Sequence, residues 1–342
     1  MYKYLKLLLV LFMTLSLAAC IEQSKPSIET ESVVEKPVWP ASPLPTRIAW
    51  QGEIRDFRDF RRHESFWQRL AGLVVGQRQT GLVKPYGIYA DDNGHLFVVD
   101  TGARRLYLLD RNDESYKVIP DNDKTPFLSP IDVTGDGVET VFITDSKKVG
   151  IFRYNLKDDL LVEFPTVSLQ RPTGIAYHRK DKLLYVVDTL AHQVVVLELD
   201  GRERFRFGER GTGPGQFNFP TAVAVSDCGM VVVTDALNGR IQIFASDGSF
   251  ELEVGRPGDT SGTFAKPKGV ALDSDCNIYV CDALFDAVQV FDQGGRLLMS
   301  FGDSGSRPGQ FWMPTGIFVD RQDNVYVADS YNQRIQIFRY MK

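Results

Sequence analysis

The stretch Phe207–Pro220, "FGERGTGPGQFNFP", returns 94 residues later as Phe301–Pro314, "FGDSGSRPGQFWMP", with a looser copy, "VGRPGDTSGTFAKP", midway at Val254–Pro267. Repetition at a fixed step constrains a fold more than composition does, because each copy is a unit that cannot bury its apolar face alone. Aligned on the closing proline, six copies emerge, beginning at Pro85, Pro130, Pro172, Pro220, Pro267 and Pro314, at intervals of 45, 42, 48, 47 and 47 residues. An aspartate follows each proline by 15 or 16 residues: Asp100, Asp145, Asp188, Asp235, Asp282 and Asp329. An apolar residue precedes each by three: Leu82, Phe127, Leu169, Phe217, Phe264 and Phe311.

Within a copy, short runs rich in valine, isoleucine and aromatics alternate with turns rich in Asp, Asn and Gly. Such runs favour a pleated surface, and four of them at a period of 40–50 residues predict one antiparallel sheet per copy. The fold class is therefore all-β, a six-bladed β-propeller of four-stranded antiparallel blades over residues 46–342. Continuous apolar runs such as "LLYVVD" and "MVVVTD" predict central strands covered on both faces. The sixth copy ends at "RIQIFRYMK" without a fourth run, which would leave a bare sheet edge. Arg47–Phe57 is expected to supply that strand and close the ring. Residues 58–73 read as one short helix before the first blade.

These residues resemble the NHL-repeat family, marked by a "GxF-x-x-P-x-G" stretch and a following "V-x-D-x-x-N-x-R-I-x-x-F". The match is strongest at Pro220–Phe244 and Pro314–Phe338, and weaker at Pro130, where Asp132 takes the place of the usual glycine. The resemblance covers the chain from about Val74 and implies six blades, without implying an activity. It extends to enzymes, among them a zinc-holding lyase of peptide amidation and calcium-dependent lactonases.

Residues 1–19 read as a signal peptide, with Lys3 and Lys6 before an apolar run from Leu7 to Leu17 that is too short to span a bilayer as a helix. The run ends in "LAAC", which looks like a bacterial lipobox with Cys20 as the lipidated residue. Residues 20–45, with five prolines among Ser, Glu and Thr, read as an extended tether. The expected address is the bacterial cell envelope, lipid-anchored, with Ile21 after the cysteine favouring the outer membrane.

The repeated Asp residues, with Arg105, Arg240 and Arg334 five positions later, are expected to be structural, accepting turn amides and pairing across the hairpin. Function is expected where copies differ. On the face carrying the glycine loops and the second-to-third turns, those positions are Trp312, Tyr331, Phe285, Arg104, Arg171 and Lys266, as a binding patch of the aromatic and basic residues that anchor partners. Lys84, Lys147, Lys148, His192, Asn238 and Met313 share the face.

No catalytic or metal-binding residue is assigned. The histidines do not converge, since His63 precedes the ring, His95 and His178 fall in first-to-second turns and His192 in a second turn on the opposite face, and first-turn carboxylates such as Asp91, Asp136, Asp273 and Asp320 read as turn formers. Cys228 and Cys276 occupy equivalent turns of adjacent blades, a placement that permits a disulfide without establishing one. With no cofactor and a net charge of −5, which argues against nucleic acid, the leading expectation is a monomeric, non-catalytic binding or scaffold module. Its partners would be the membrane, through the lipid, and an envelope protein, peptide or glycan. The second reading is a metal-dependent hydrolase or lyase that uses the central channel with calcium or zinc.

Overall fold

A computed structural model of the chain describes residues 36–57, 81–121 and 124–342. The described residues form six antiparallel sheets, here blades I to VI. Blade I comprises Pro85–Ala90, His95–Asp100, Arg105–Asp110 and Ser115–Ile119, and blades II to V repeat this order of four. The first strands begin at the six prolines and line the axis: Pro85–Ala90, Pro130–Gly135, Pro172–His178, Pro220–Val225, Pro267–Leu272 and Pro314–Val319. Each packs against its successor, and the sixth packs against the first, so the ring is closed.

Closure uses the N-terminal segment, as the bare edge of the sixth copy demanded. Ile48–Ile54 pairs antiparallel with Arg334–Tyr340, from Ile48↔Tyr340 to Ile54↔Ile335. One boundary moves. Val38–Trp39, inside the stretch expected to be tether, adds a fifth strand against Ile48–Ala49, and Trp39 packs on Phe301 and Phe338. The folded body therefore begins at Lys36, ahead of the expected 46. A two-residue strand followed by prolines carries no periodic signal, which is why composition hid it. The expected helix at 58–73 lies outside the described residues, as do the signal peptide and Cys20.

The six apolar residues before the prolines lie between neighbouring sheets. Phe217 joins Val187 and Val194 of blade III to Val223 and Val233 of blade IV, Phe264 does the same between blades IV and V, and Phe311 between V and VI. Phe127, Leu169 and Leu82 fill the other three seams. The glycine that opens the loop is required twice over. Gly208 has φ +92°, and a Cβ there would come within 2.4 Å of the Phe217 ring. The loop is repeated because every seam needs the same apolar wedge and the same bend.

The second strands, such as Val231–Asp235, are buried along their whole length, whereas outer strands such as Phe250–Val254 bury little beyond their last residue. Charge on the outermost strands (Glu203, Arg204 and Arg206 in blade III) discourages edge-to-edge pairing with other chains.

Candidate functional site

The repeated aspartates are structural clamps. Asp100 accepts the amides of Val83 at 2.7 Å, Lys84 at 3.0 Å and Ala103 at 2.8 Å, tying the loop before the first strand to the second turn. Asp188 and Asp282 hold the amides of Arg171 and Lys266 at 2.7 and 2.9 Å. Arg240 and Arg334 pair with Asp235 and Asp329 at 2.8 and 2.6 Å. Arg105 donates to the Arg104 carbonyl at 3.4 Å. A signal the motif reading passed over is the glutamine inside each apolar third strand from blade IV onward. Gln242, Gln289 and Gln336 are buried and bind the loop amides of Gly215, Gly262 and Gly309.

These clamps fix the rim of the upper mouth, the end of the channel bearing the glycine loops. Because Asp100, Asp188 and Asp282 grip the residue just before the proline, Lys84, Arg171 and Lys266 stand at equivalent rim positions on blades I, III and V. Lys268, two residues inside blade V, lines the channel itself. The four act on one another. Burial first, then the charges of Lys266, Lys84 and Arg171, hold the Lys268 ammonium below the ordinary lysine range. On blade VI, Trp312 and Tyr331 are 54% and 49% exposed, their rings 5.4 Å apart, with Lys84 Nζ 5.6 Å from the Tyr331 ring centre. Such a cation over an aromatic face contributes about 0.5–1 kcal/mol at an exposed site.

Of the expected patch, the structure therefore brings Trp312 and Tyr331 together with Lys84, and couples Arg171 and Lys266 through Lys268. Phe285 and Arg104 lie on the same face in the second turns of blades V and I, without a contact to that cluster among the described interactions.

Below the mouth, the channel holds a cavity of about 590 Å³ walled by the inner strands, with Ile88, Val133, Ile175, Val223, Val270 and Ile317 as an apolar belt. A volume of this size suits a small organic ligand or the end of a chain. Two polar groups interrupt the belt. Asp132 stands where the motif has glycine, and its carboxylate accepts the amides of Val133 at 3.0 Å and of Ile175, on the next blade, at 3.1 Å. Enclosure by protein raises its pKa to about 7, against the lowering effect of those amides. Burial, with the Asp132 charge adding to it, pushes the Tyr86 phenol up to about 12.

The Asp132 carboxyl makes stability depend on pH. Its folded pKa of about 7 lies above the ordinary carboxylate value of 3.8, so the folded state holds the extra proton, and stability falls as pH rises from about 4 to 7. Asp132→Asn keeps an amide acceptor and removes the charge. Urea unfolding is expected to show the variant matching the parent near pH 5 and exceeding it by about 2 kcal/mol at pH 8. Parallel pH profiles for the two proteins would show that Asp132 is ionised throughout.

The lower mouth is spanned by charges from the turns between first and second strands. Arg179 of blade III meets Asp92 of blade I at 2.8 Å, and Arg321 of blade VI lies 3.4 Å from Asp92 and 3.2 Å from Asp227 of blade IV. Asp91, Asp136, Asp273 and Asp320 do hold their own turns through backbone amides.

The Sγ atoms of Cys228 and Cys276 lie 2.8 Å apart at this mouth. Burial opposes ionisation of Cys228, but hydrogen bonds from Cys276 and Ser226 outweigh it and bring its pKa down, whereas burial and the Cys228 partner push Cys276 up to about 12. Cys228 is thus the more readily ionised thiol of the pair and the expected attacking group. With oxidised glutathione as oxidant, it forms a mixed disulfide, Cys276 displaces glutathione, and two glutathione thiols are released for one disulfide. Peptide mass spectrometry without reductant is expected to find Cys228 linked to Cys276, with Cys281, buried and held protonated, still free. The link should stabilise the fold by about 2–4 kcal/mol. Two free thiols after complete oxidation would refute it.

The described His, Cys, Asp and Glu side chains do not gather in threes around a common point. His95 is taken by Asp91 at 2.7 Å, His178 lies 3.0 Å from Asp181, and His192 packs on Phe219 beneath the upper face. The described residues do not fit a zinc or calcium centre of such ligands.

An NHL repeat is matched at residues 311–338. No curated protein matches the chain. Among solved structures, virginiamycin B lyase from Staphylococcus aureus is similar with a TM-score of 0.57 at 14% identity, over 86% of this chain and 100% of that one. An auxiliary nutrient binding protein from Bacteroides thetaiotaomicron gives 0.60 at 15% identity, over 77% and 70% of the two chains. A gluconolactonase from Xanthomonas campestris gives 0.59 at 17% identity, over 76% and 87%. At such identities the likeness concerns the fold, and the chain is a six-bladed β-propeller that carries an NHL repeat in its last blade.

Proposed function

We propose that the protein is a lipid-anchored propeller of the bacterial cell envelope that binds a protein, peptide or glycan at its upper mouth without transforming it. The observation that carries this reading is the exposed Trp312–Tyr331 pair with Lys84 beside it, opening onto a channel whose rim residues differ from blade to blade. Aromatic and basic side chains on a rigid rim lose little entropy on binding, which is what a recognition surface needs. The nutrient-binding protein of similar fold is in keeping with such a role. The "LAAC" stretch ending at Cys20 supports anchoring by lipid, outer membrane favoured, with the prolines that follow as a spacer.

Crosslinking tests the reading directly. A photoreactive residue at Tyr331 in living cells should capture one predominant envelope component, identified by mass spectrometry, and the same residue at Leu160, on an outer strand, should not. Equal capture at both positions would show that the mouth is not the binding surface.

One observation favours a second reading, hydrolase or lyase chemistry in the channel. Asp132 is a carboxyl near its titration midpoint at neutral pH, facing an apolar cavity, as general acids and bases often are. Turnover of lactones or esters at ordinary enzymatic rates, lost in Asp132→Asn, would replace the binding proposal; elemental analysis for zinc and calcium would decide whether a metal takes part.

A further inference from the structure

Among the described residues, the four cations of the upper mouth make no ion pair. Asp100, Asp188 and Asp282 spend their oxygens on the backbone amides of the rim. Asp286, on the blade V rim, is taken by the Met313 amide at 2.7 Å and the Ser304 hydroxyl at 2.5 Å. Among the described residues, no carboxylate lies within ion-pair distance of Lys84, Arg171, Lys266 or Lys268. In a chain of net charge −5, the neighbouring charges that act on Lys268 are those of three cations, Lys266, Lys84 and Arg171. Like charges held together without a partner are costly to the fold, and are retained where a ligand supplies the missing anion.

We propose that the upper mouth binds an acidic oligosaccharide, with one sugar ring on the Trp312–Tyr331 pair and its carboxylates on Lys84, Arg171, Lys266 and Lys268. The proposal rests on the reading of the protein as a binding module, and names the ligand class.

Two features favour a charged sugar chain over a single anion. The rim cations stand on alternate blades around the channel, a spread that a chain bearing one acid per residue can follow from blade to blade. The aromatic faces carry negative charge density, which repels carboxylates but attracts the C–H groups on the face of a pyranose ring. The ligand end that enters the channel passes Lys268 and then the Asp132 carboxyl before the apolar belt, so its acid group would rest on Lys268 and a ring face on the belt.

Titration calorimetry on the full chain at physiological salt tests this with hexagalacturonate as probe. Binding is expected, weakening as salt rises. The fully methyl-esterified hexamer, the same sugar without charge, should bind at least roughly tenfold more weakly, the equivalent of one lost charge-assisted hydrogen bond. Lys268→Met should lose a comparable factor while keeping or raising Tm, since it removes a repelled charge. Should that variant misfold, Lys84→Ser combined with Lys266→Ser, both on the exposed rim, provides the same comparison. Trp312→Ala should weaken hexagalacturonate but leave inorganic sulfate unaffected.

Equal affinity for the ester, or undiminished binding by the charge variants, would overturn the proposal. Hexaglutamate binding as tightly as hexagalacturonate, with Trp312→Ala indifferent to both, would point to an acidic peptide instead. If crosslinking at Tyr331 succeeds while the charge variants bind the captured component as the parent does, the binding module stands and the acidic class alone falls.

Discussion

Deleting residues 36–54 is expected to abolish cooperative folding of the entire ring, although the deletion removes none of the six first strands. Ile48–Ile54 covers the edge of Arg334–Tyr340. Ile48 is fully buried in the core between blades V and VI, and Ile54 in the core between VI and I. Trp50 Nε1 donates to Gln336 at 3.0 Å, and Glu53 pairs with Arg334. Without the segment, a seven-residue edge strand is bare, two seams lose buried side chains and a buried arginine loses a carboxylate. The combined loss is of the order of the whole stability of a domain, about 5–15 kcal/mol. Circular dichroism should show no sigmoidal thermal transition, and size exclusion should show aggregates formed through the exposed edge. A synthetic peptide spanning residues 36–57, added in trans during refolding, should restore part of the transition. A deletion variant that melts within a few degrees of the parent would mean that the ring does not depend on its clasp.

That the clasp was visible in the sequence, and the sites inside the ring were not, has a physical reason. A requirement met at every seam is written six times, so the wedge residues and the Asp clamps stand out from one chain. The missing fourth run of the last copy is legible in the same way, as a gap in a pattern. Asp132 shows the opposite case. As a departure from the glycine pattern it reads as a weak repeat, because its partner, the Ile175 amide, belongs to the next blade, 43 residues on.

Lys268 likewise stands near the start of its copy, two residues after Lys266, and only closure of the circle brings Lys84 and Arg171 to act on it as well. The lower-mouth charges join blades III, I, VI and IV across the axis, a relation no spacing along the chain encodes. Gln242, Gln289 and Gln336 are different: a polar residue at one position of three apolar strands was a readable signal, and its purpose, satisfying loop amides inside the sheet, follows from burial alone. Trp312 and Tyr331 were legible as departures, but their pairing was not, since 19 residues and a strand hairpin separate them.

Arg334→Met is expected to destabilise the protein by about 3–5 kcal/mol at pH 8, the usual cost of breaking a buried ion pair from one side. Arg334 is 0% exposed. Its guanidinium donates to Asp329 and Glu53 at 2.6 Å each, and to the carbonyls of Arg307 and Gln310 at 3.0 and 2.7 Å. It therefore joins the last blade, the loop before it and the clasping strand at one point. Methionine matches the bulk but leaves Asp329 charged in a site where burial already raises its pKa, against the lowering by the Trp312 amide, Asn332 and Arg334. Taking away the guanidinium raises that pKa further.

A carboxyl with a folded pKa above its unfolded value favours the folded state at low pH, and that contribution is lost as pH rises through the folded pKa. The penalty in Arg334→Met should thus be smaller at pH 5 than at pH 8, because Asp329 can take up a proton. Adding Asp329→Asn should recover part of the loss, giving a double variant less damaged than the sum of its single changes. Arg240 of blade IV makes the equivalent contacts with Asp235, Glu253 and the carbonyls of Gly213 and Gln216, but its blade is completed by its own fourth strand. Arg240→Met should therefore cost less than Arg334→Met, the difference measuring what the closing strand adds. Urea unfolding at both pH values decides the matter: equal penalties at pH 5 and pH 8 would mean that Asp329 is not the group left stranded, and equal penalties for the two arginines would mean that the closing strand adds nothing to the Arg334 site.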